Sequence, residues 1–152
     1  MISEGDSVPK FEINDANGDK IKSTDLKGKK HVIYFYPKDF TPGCTTEADE
    51  FSRDYKKFQK LGIEIIGISP DDVESHKKFC EKMGIKYPLL ADVDKVVSKA
   101  FGVWGLKKFM GREYMGVNRS TFLVDEKGKV FKVFPKVKPK GHSEEVLKEF
   151  SK

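Results

Sequence analysis

Cys44 and Cys80 are the only two thiols in this chain, and Cys44 occupies a setting that a structural cysteine does not need. In "FYPKDFTPGCTTEADEF", residues 35–51, a β-rich run stops at Pro37, and a Thr-Pro-Gly sequence then delivers Cys44 to the start of a helical pattern. Threonine followed by proline is a strong helix start. It predicts Thr41 as N-cap, Pro42 as the first helical residue and Cys44 as the third. The sulfur then lies in a first turn whose N–H groups lack intrahelical partners and whose dipole end is positive. Such a setting favours the thiolate, which is the nucleophilic and oxidisable form of cysteine. Glu47, three residues on, brings a carboxylate that offsets the effect, so the site needs a cation from elsewhere. Arg119, in "GVNRSTFLV" just ahead of a predicted core strand, is the best candidate. The plainer reading, a small buried filler cysteine, leaves the Thr-Pro-Gly arrangement without a purpose.

Other chemistries fit less well. A thioredoxin-like disulfide reductase would want Cys-x-x-Cys, and residues 44–47 read Cys-Thr-Thr-Glu. A Cys–His hydrolase would draw on His31, His76 or His142, but no residue orients any of them as a base in sequence. None of the three has metal-ligand spacing with the cysteines. "GVWGLKKFMG" does not follow a strand at nucleotide-binding spacing, and Trp104 reads as part of a Gly-broken aromatic loop, packed near the site or facing a partner. The lysine-rich segment Lys127–Lys140 could make a basic binding module. The alternation through Val130, Phe131, Lys132, Val133 and Phe134 instead puts its lysines on the solvent face of a hairpin strand. With 29 basic against 24 acidic side chains the net charge is only +5, so no nucleic-acid partner is expected.

The elements that must position these groups read as one domain over 1–152, enough chain to bury about two-thirds of its unfolded surface without disulfide staples. The longest apolar runs, "HVIYFY" and "IEIIGIS", are strand-sized, so no membrane span is expected. The first residues carry no basic-then-apolar leader, and a cytoplasmic protein is expected, with thiols that are reactive or buried rather than paired. "FEINDANGDKIKSTDLKG" predicts an N-terminal β-hairpin turning at Asn17-Gly18. "HVIYFY" and "IEIIGIS" predict buried central strands. Ala48, Phe51, Tyr55, Phe58 and Leu61 form one helical stripe closed by Gly62, and "DDVESHKKFCEKMG" gives a second helix closed by Gly84. "PLLADVDKVVSKAFGV" supplies a short strand or loop and a further helix. "STFLVDEKGKVFKVF" is a hairpin turning at Asp125–Gly128, and "HSEEVLKEF" is an end helix with Ser143 as N-cap. That order argues for an α/β fold, a central mixed sheet with helices on both faces.

"PKDFTPGCT" resembles the active-site motif of the peroxiredoxins, Pro-x-x-x-Thr-x-x-Cys, with Pro37, Thr41 and Cys44 in its three positions. "TPGCTTEA" is most similar to the bacterioferritin-comigratory, or PrxQ, subfamily. The likeness runs through "GDSVPKFEINDANG", "DLKGKKHVIYFYP", "IIGISPDDVESHKKF" and "NRSTFLVDEKGKV". It implies a thioredoxin-like fold and the reduction of hydrogen peroxide and organic hydroperoxides. Cys44 would be the peroxidatic nucleophile, and Arg119 would hold its thiolate and polarise the peroxide. Thr41 would orient the peroxide, the N–H groups of Gly43 and Cys44 would stabilise the displaced oxygen, and Pro37 would shield the sulfur. No metal or organic cofactor is implied. Many members place a resolving cysteine five residues after the first, where this chain has Asp49. Cys80 matches the placement of another subset, on the next helix, and implies a Cys44–Cys80 disulfide recycled by a thioredoxin-type reductant. By spacing alone, with Val73, His76 and Met83, Cys80 could merely face the core, the lesser of the two readings. An internal resolving thiol removes the need for a dimer, so a monomer is expected.

Overall fold

The computed structural model describes residues 1–152. Its centre is a five-stranded mixed sheet. Strand β3 (Lys30–Phe35) runs parallel to β4 (Ile63–Ser69) on one side and antiparallel to β8 (Ser120–Val124) on the other. Short β5 (Leu89–Ala91) and β9 (Val130–Phe134) close the two edges. A smaller hairpin, β1 (Glu12–Asn14) with β2 (Lys20–Lys22), pairs Ile13 with Ile21 as the sequence predicts. The other hairpin, β6 (Trp104–Phe109) with β7 (Arg112–Val117), stands where a loop is expected. Its turn sits on Met110-Gly111, with both residues at positive φ.

The apolar run of β3 divides by parity, as it must in a strand whose side chains alternate between faces. Val32 and Tyr34, continued by Tyr36, enter a core cluster beneath helices α1 (Pro42–Arg53), α2 (Tyr55–Lys60), α3 (Val73–Met83) and α5 (His142–Phe150). Ile33 and Phe35 enter the other, beneath α4 (Val96–Phe101) and the two hairpins. The parallel β3–β4 pair needs a crossover, and α1 with α2 provides it. The crossover is two helices rather than the single stripe expected. Asp54, 2 % exposed, breaks it, accepting from Arg53 and the Ser143 hydroxyl and pairing with the Lys57 ammonium. Ser143 is therefore not the N-cap of α5. Gly141 caps that helix, and Ser143 lies inside it, tying it to the α1–α2 junction.

Helix α3 follows the expected rules. Asp72 caps it by accepting from the Ser75 N–H, and Gly84 ends it in the left-handed region that glycine reaches without strain. No helix is long and apolar enough to cross a membrane.

Candidate active site

Pro42 begins α1 with Thr41 at the N-cap, so Cys44 is its third residue, as expected from sequence. One detail differs. The Thr41 hydroxyl does not cap the helix but donates to the Lys38 carbonyl at 2.8 Å. The amides of Gly43 and Cys44 consequently have no hydrogen-bond partner within the chain, and the lone pairs of the Thr41 oxygen stay available. Cys44 is 1 % exposed, and half-buried Pro37 stands between β3 and this loop.

The cation arrives from the strand beside β3. Arg119, at the entry to β8, donates from Nη2 to Cys44 Sγ at 3.2 Å and from Nη1 to Glu47 Oε1 at 2.8 Å. One planar guanidinium thus bridges sulfur and carboxylate, a geometry that a lysine cannot reproduce. Burial opposes the charge on Arg119, but Glu47 and Cys44 outweigh it and hold the guanidinium above its usual range. Gly43 makes room for this arm: a Cβ there would meet Arg119 Nη2 at 3.1 Å and Pro139 Cγ at 3.4 Å. The Val137 N–H donates to the Arg119 carbonyl, and the Gly141 N–H donates to Glu50 of α1. The lysine-rich segment after β9 is therefore the wall that backs the arginine.

Glu47 is the residue whose part the sequence shows least. Its carboxyl is 1 % exposed, and burial pushes it up to about 7 although Arg119 pulls it down. Its Oε2 is buried without a partner. Lys107 reaches across Gly116 to donate to the Val117 carbonyl at 3.0 Å. Burial holds its ammonium below the usual range, the Arg119 charge adds to that, and the Cys44 charge acts against it. A second cation thus overlooks the site from the β6–β7 hairpin, a role invisible while that segment reads as a loop.

Cys80, half-buried on α3, forms no disulfide with Cys44. It lies in the wall of a cleft of about 200 Å³ shared with Asp15, Tyr87 and Leu89. Burial, then the carboxylates of Asp39, Asp15 and Glu81, push its thiol up to about 11. Asp49 is exposed on α1. The three histidines stay apart, and none approaches either sulfur through a hydrogen bond: His31 bonds Lys29, His76 bonds Asp39, and His142 bonds Thr121 and Glu145.

The AhpC/TSA family matches residues 5–133. The peroxiredoxin Bcp of Bacillus subtilis (strain 168) is 48% identical over 146 residues, 96% of this chain and 93% of its own length. A solved structure of Xanthomonas campestris bacterioferritin comigratory protein, studied for alkyl peroxide reduction through trapped intermediate and ligand complexes, is 38% identical. It superposes with a TM-score of 0.88 over 93% of this chain and 90% of its own. A Xylella fastidiosa PrxQ mutant reaches a TM-score of 0.94 at 33% identity, covering 99% of this chain and 96% of that one. The sheet and helices described above are thus those of thioredoxin-fold peroxiredoxins.

Proposed function

The chain belongs to the AhpC/TSA family, among its Bcp and PrxQ peroxiredoxins, and from that premise we propose a residue-by-residue account of its thiol-dependent peroxidase activity. Cys44 is the nucleophile. Its thiolate attacks the distal oxygen of a hydroperoxide, an S–O bond forms, the O–O bond breaks, and water or an alcohol leaves after taking a proton. Arg119 stabilises the thiolate and the polarised peroxide. The unpartnered amides of Gly43 and Cys44 face the charge that develops on the departing oxygen, and the Thr41 oxygen accepts from the peroxide O–H. Pro37 shields the sulfur from bulk water. The observation that carries this reading is the single guanidinium donating at once to Cys44 Sγ and Glu47 at the start of a helix.

Cys80 is the resolving thiol. It displaces hydroxide from the Cys44 sulfenic acid, giving water and a Cys44–Cys80 disulfide that a thioredoxin-type dithiol reduces. The reaction is contained in one domain, acts on hydrogen peroxide and organic hydroperoxides, and needs no second copy of the chain. Two unpaired thiols suit a reducing compartment, the cytoplasm.

Mass spectrometry of both thiols after one equivalent of peroxide tests the account. The expected product is a Cys44–Cys80 linkage in the wild type, a Cys44 sulfenic acid in Cys80→Ser, and no oxidation in Cys44→Ser. Peroxide consumption that survives in Cys44→Ser would refute it.

A further inference from the structure

The densest polar cluster outside the Cys44 pocket joins the loop before α1 to the helix of Cys80. Asp39, 3 % exposed, lies between Pro37 and Thr41, and His76, fully buried, lies one turn before Cys80. Asp39 Oδ2 accepts from His76 Nδ1 at 2.7 Å and from the Ser75 hydroxyl at 2.8 Å, and Oδ1 accepts from the Tyr36 hydroxyl at 2.7 Å. The Asp39 N–H donates to Asp71 at 2.8 Å, which the Ser69 hydroxyl also holds. On its other side His76 Nε2 donates to the Leu90 carbonyl at 2.9 Å. Next to Asp39, Phe40 is held at φ +65, a strained value for a bulky residue, with its ring edge-on to Phe79 of α3 at 5.0 Å. Buried groups bonded this completely resist separation, because each one released without a partner is costly.

We propose that Asp39 and His76 are positioning residues that clamp the Cys44 loop against the Cys80 helix while peroxide is reduced, and that their release is the step that hands the oxidised sulfur to Cys80. The inference rests on the peroxidase reading given above. The clamp holds the loop and α3 together with both thiols unbonded. A disulfide needs Cα atoms within about 7 Å and facing Cβ vectors. Resolution then proceeds with Cys80 sulfur attacking Cys44 sulfenic sulfur: the S–S bond forms, the S–O bond breaks, and the hydroxyl leaves with the Cys80 proton as water. The Asp39 carboxylate also adds to the burial that pushes the Cys80 thiol up to about 11. Clamp strength therefore sets a partition. A tight clamp favours the attack on peroxide but exposes the sulfenic acid to a second peroxide and conversion to sulfinic acid, and a loose one favours the disulfide.

Quenched-flow mass spectrometry on His76→Gln and Asp39→Asn, with and without Cys80→Ser, separates the two steps. The expected result is slower sulfenic acid formation and faster disulfide closure, the ratio of the two rates shifting by about ten-fold, the factor that losing a hydrogen bond to a charged group gives an opening equilibrium. Sulfinic acid at excess peroxide should fall. In the Cys80→Ser background this protection should vanish. Ser75→Ala, which removes one weaker strut from a part-buried hydroxyl, should shift both rates the same way by less, and it serves if the stronger variants fail to fold. Rates that match wild type in both steps, or that slow together, would overturn the clamp alone. A wild-type protein that forms no Cys44–Cys80 disulfide would overturn the clamp together with the resolving role of Cys80.

Discussion

Cys44 and Cys80 share one apolar cluster on one side of the sheet, yet their surroundings are opposed. Cys44 is in the first turn of its helix, with unpartnered amides beside it and a guanidinium donating to its sulfur. Cys80 is near the end of its helix, where its own carbonyl accepts from the N–H groups of Gly84 and Ile85 and the dipole is negative. Its charged neighbours are carboxylates, and its thiol is pushed up to about 11. Burial alone does not make a thiol reactive or inert. Cys44 is the more buried of the two, and what differs is the sign of the charge that accompanies burial.

Arg119→Met should erase the contrast most completely, leaving Cys44 with Glu47 and only the Lys107 ammonium as counter-charge. Stopped-flow peroxide kinetics should fall by about 10²–10³-fold, the usual loss when a donor aimed at developing charge is removed. Arg119→Lys should recover only part, since an ammonium cannot bridge Sγ and Oε1 in one plane. A variant that kept the wild-type rate would show that the helix terminus suffices.

Glu47→Gln probes the same arginine from its other arm, through pH. The folded-state carboxyl sits at about 7, above its ordinary value, so the folded protein binds this proton more tightly than the unfolded chain does. Its stabilising contribution is complete below the ordinary value and is lost as pH rises to about 7, on the order of 3 kcal/mol. Denaturant titrations across pH 4–8 should show wild type losing that amount relative to Glu47→Gln. Parallel curves would show that Arg119 offsets the burial of this carboxyl and that its proton is held no more tightly than in the unfolded chain. Gly43→Ala should have the smallest effect. Its Cβ pushes Arg119 by a few tenths of an ångström, and the rate of Cys44 oxidation should fall by about ten-fold while that of disulfide closure stays unchanged.

Much of this arrangement is legible in the sequence because local rules govern it. Thr41-Pro42 announces a helix, the Asn17-Gly18 and Asp125–Gly128 turns announce hairpins, and strand-sized apolar runs announce a central sheet. The placement of Cys44 follows from those rules, and Arg119 follows from the demand for a cation. What stays hidden depends on contacts between distant residues. Glu47 looks like an offsetting surface charge until tertiary packing buries it under Arg119. His76 looks like one of three scattered histidines until the fold brings it to Asp39, 37 residues away. Asp54 interrupts a helical stripe that continues in pattern on both sides, because its carboxylate is claimed by α5. The β6–β7 hairpin escapes notice because Gly105, Gly111 and Gly116 suggest breakage, whereas Gly111 makes the turn and Gly116 lets Lys107 cross.

The backing of Arg119 by residues 137–141 bears on how the protein is made. A ribosome releases Cys44 75 residues ahead of its arginine, and Pro139 follows some twenty residues later. At roughly 5–20 residues per second, about 4–15 s separate the synthesis of the thiol from that of the guanidinium beside it. Whatever Arg119 does for the Cys44 sulfur is therefore withheld during elongation and begins only as translation nears its end.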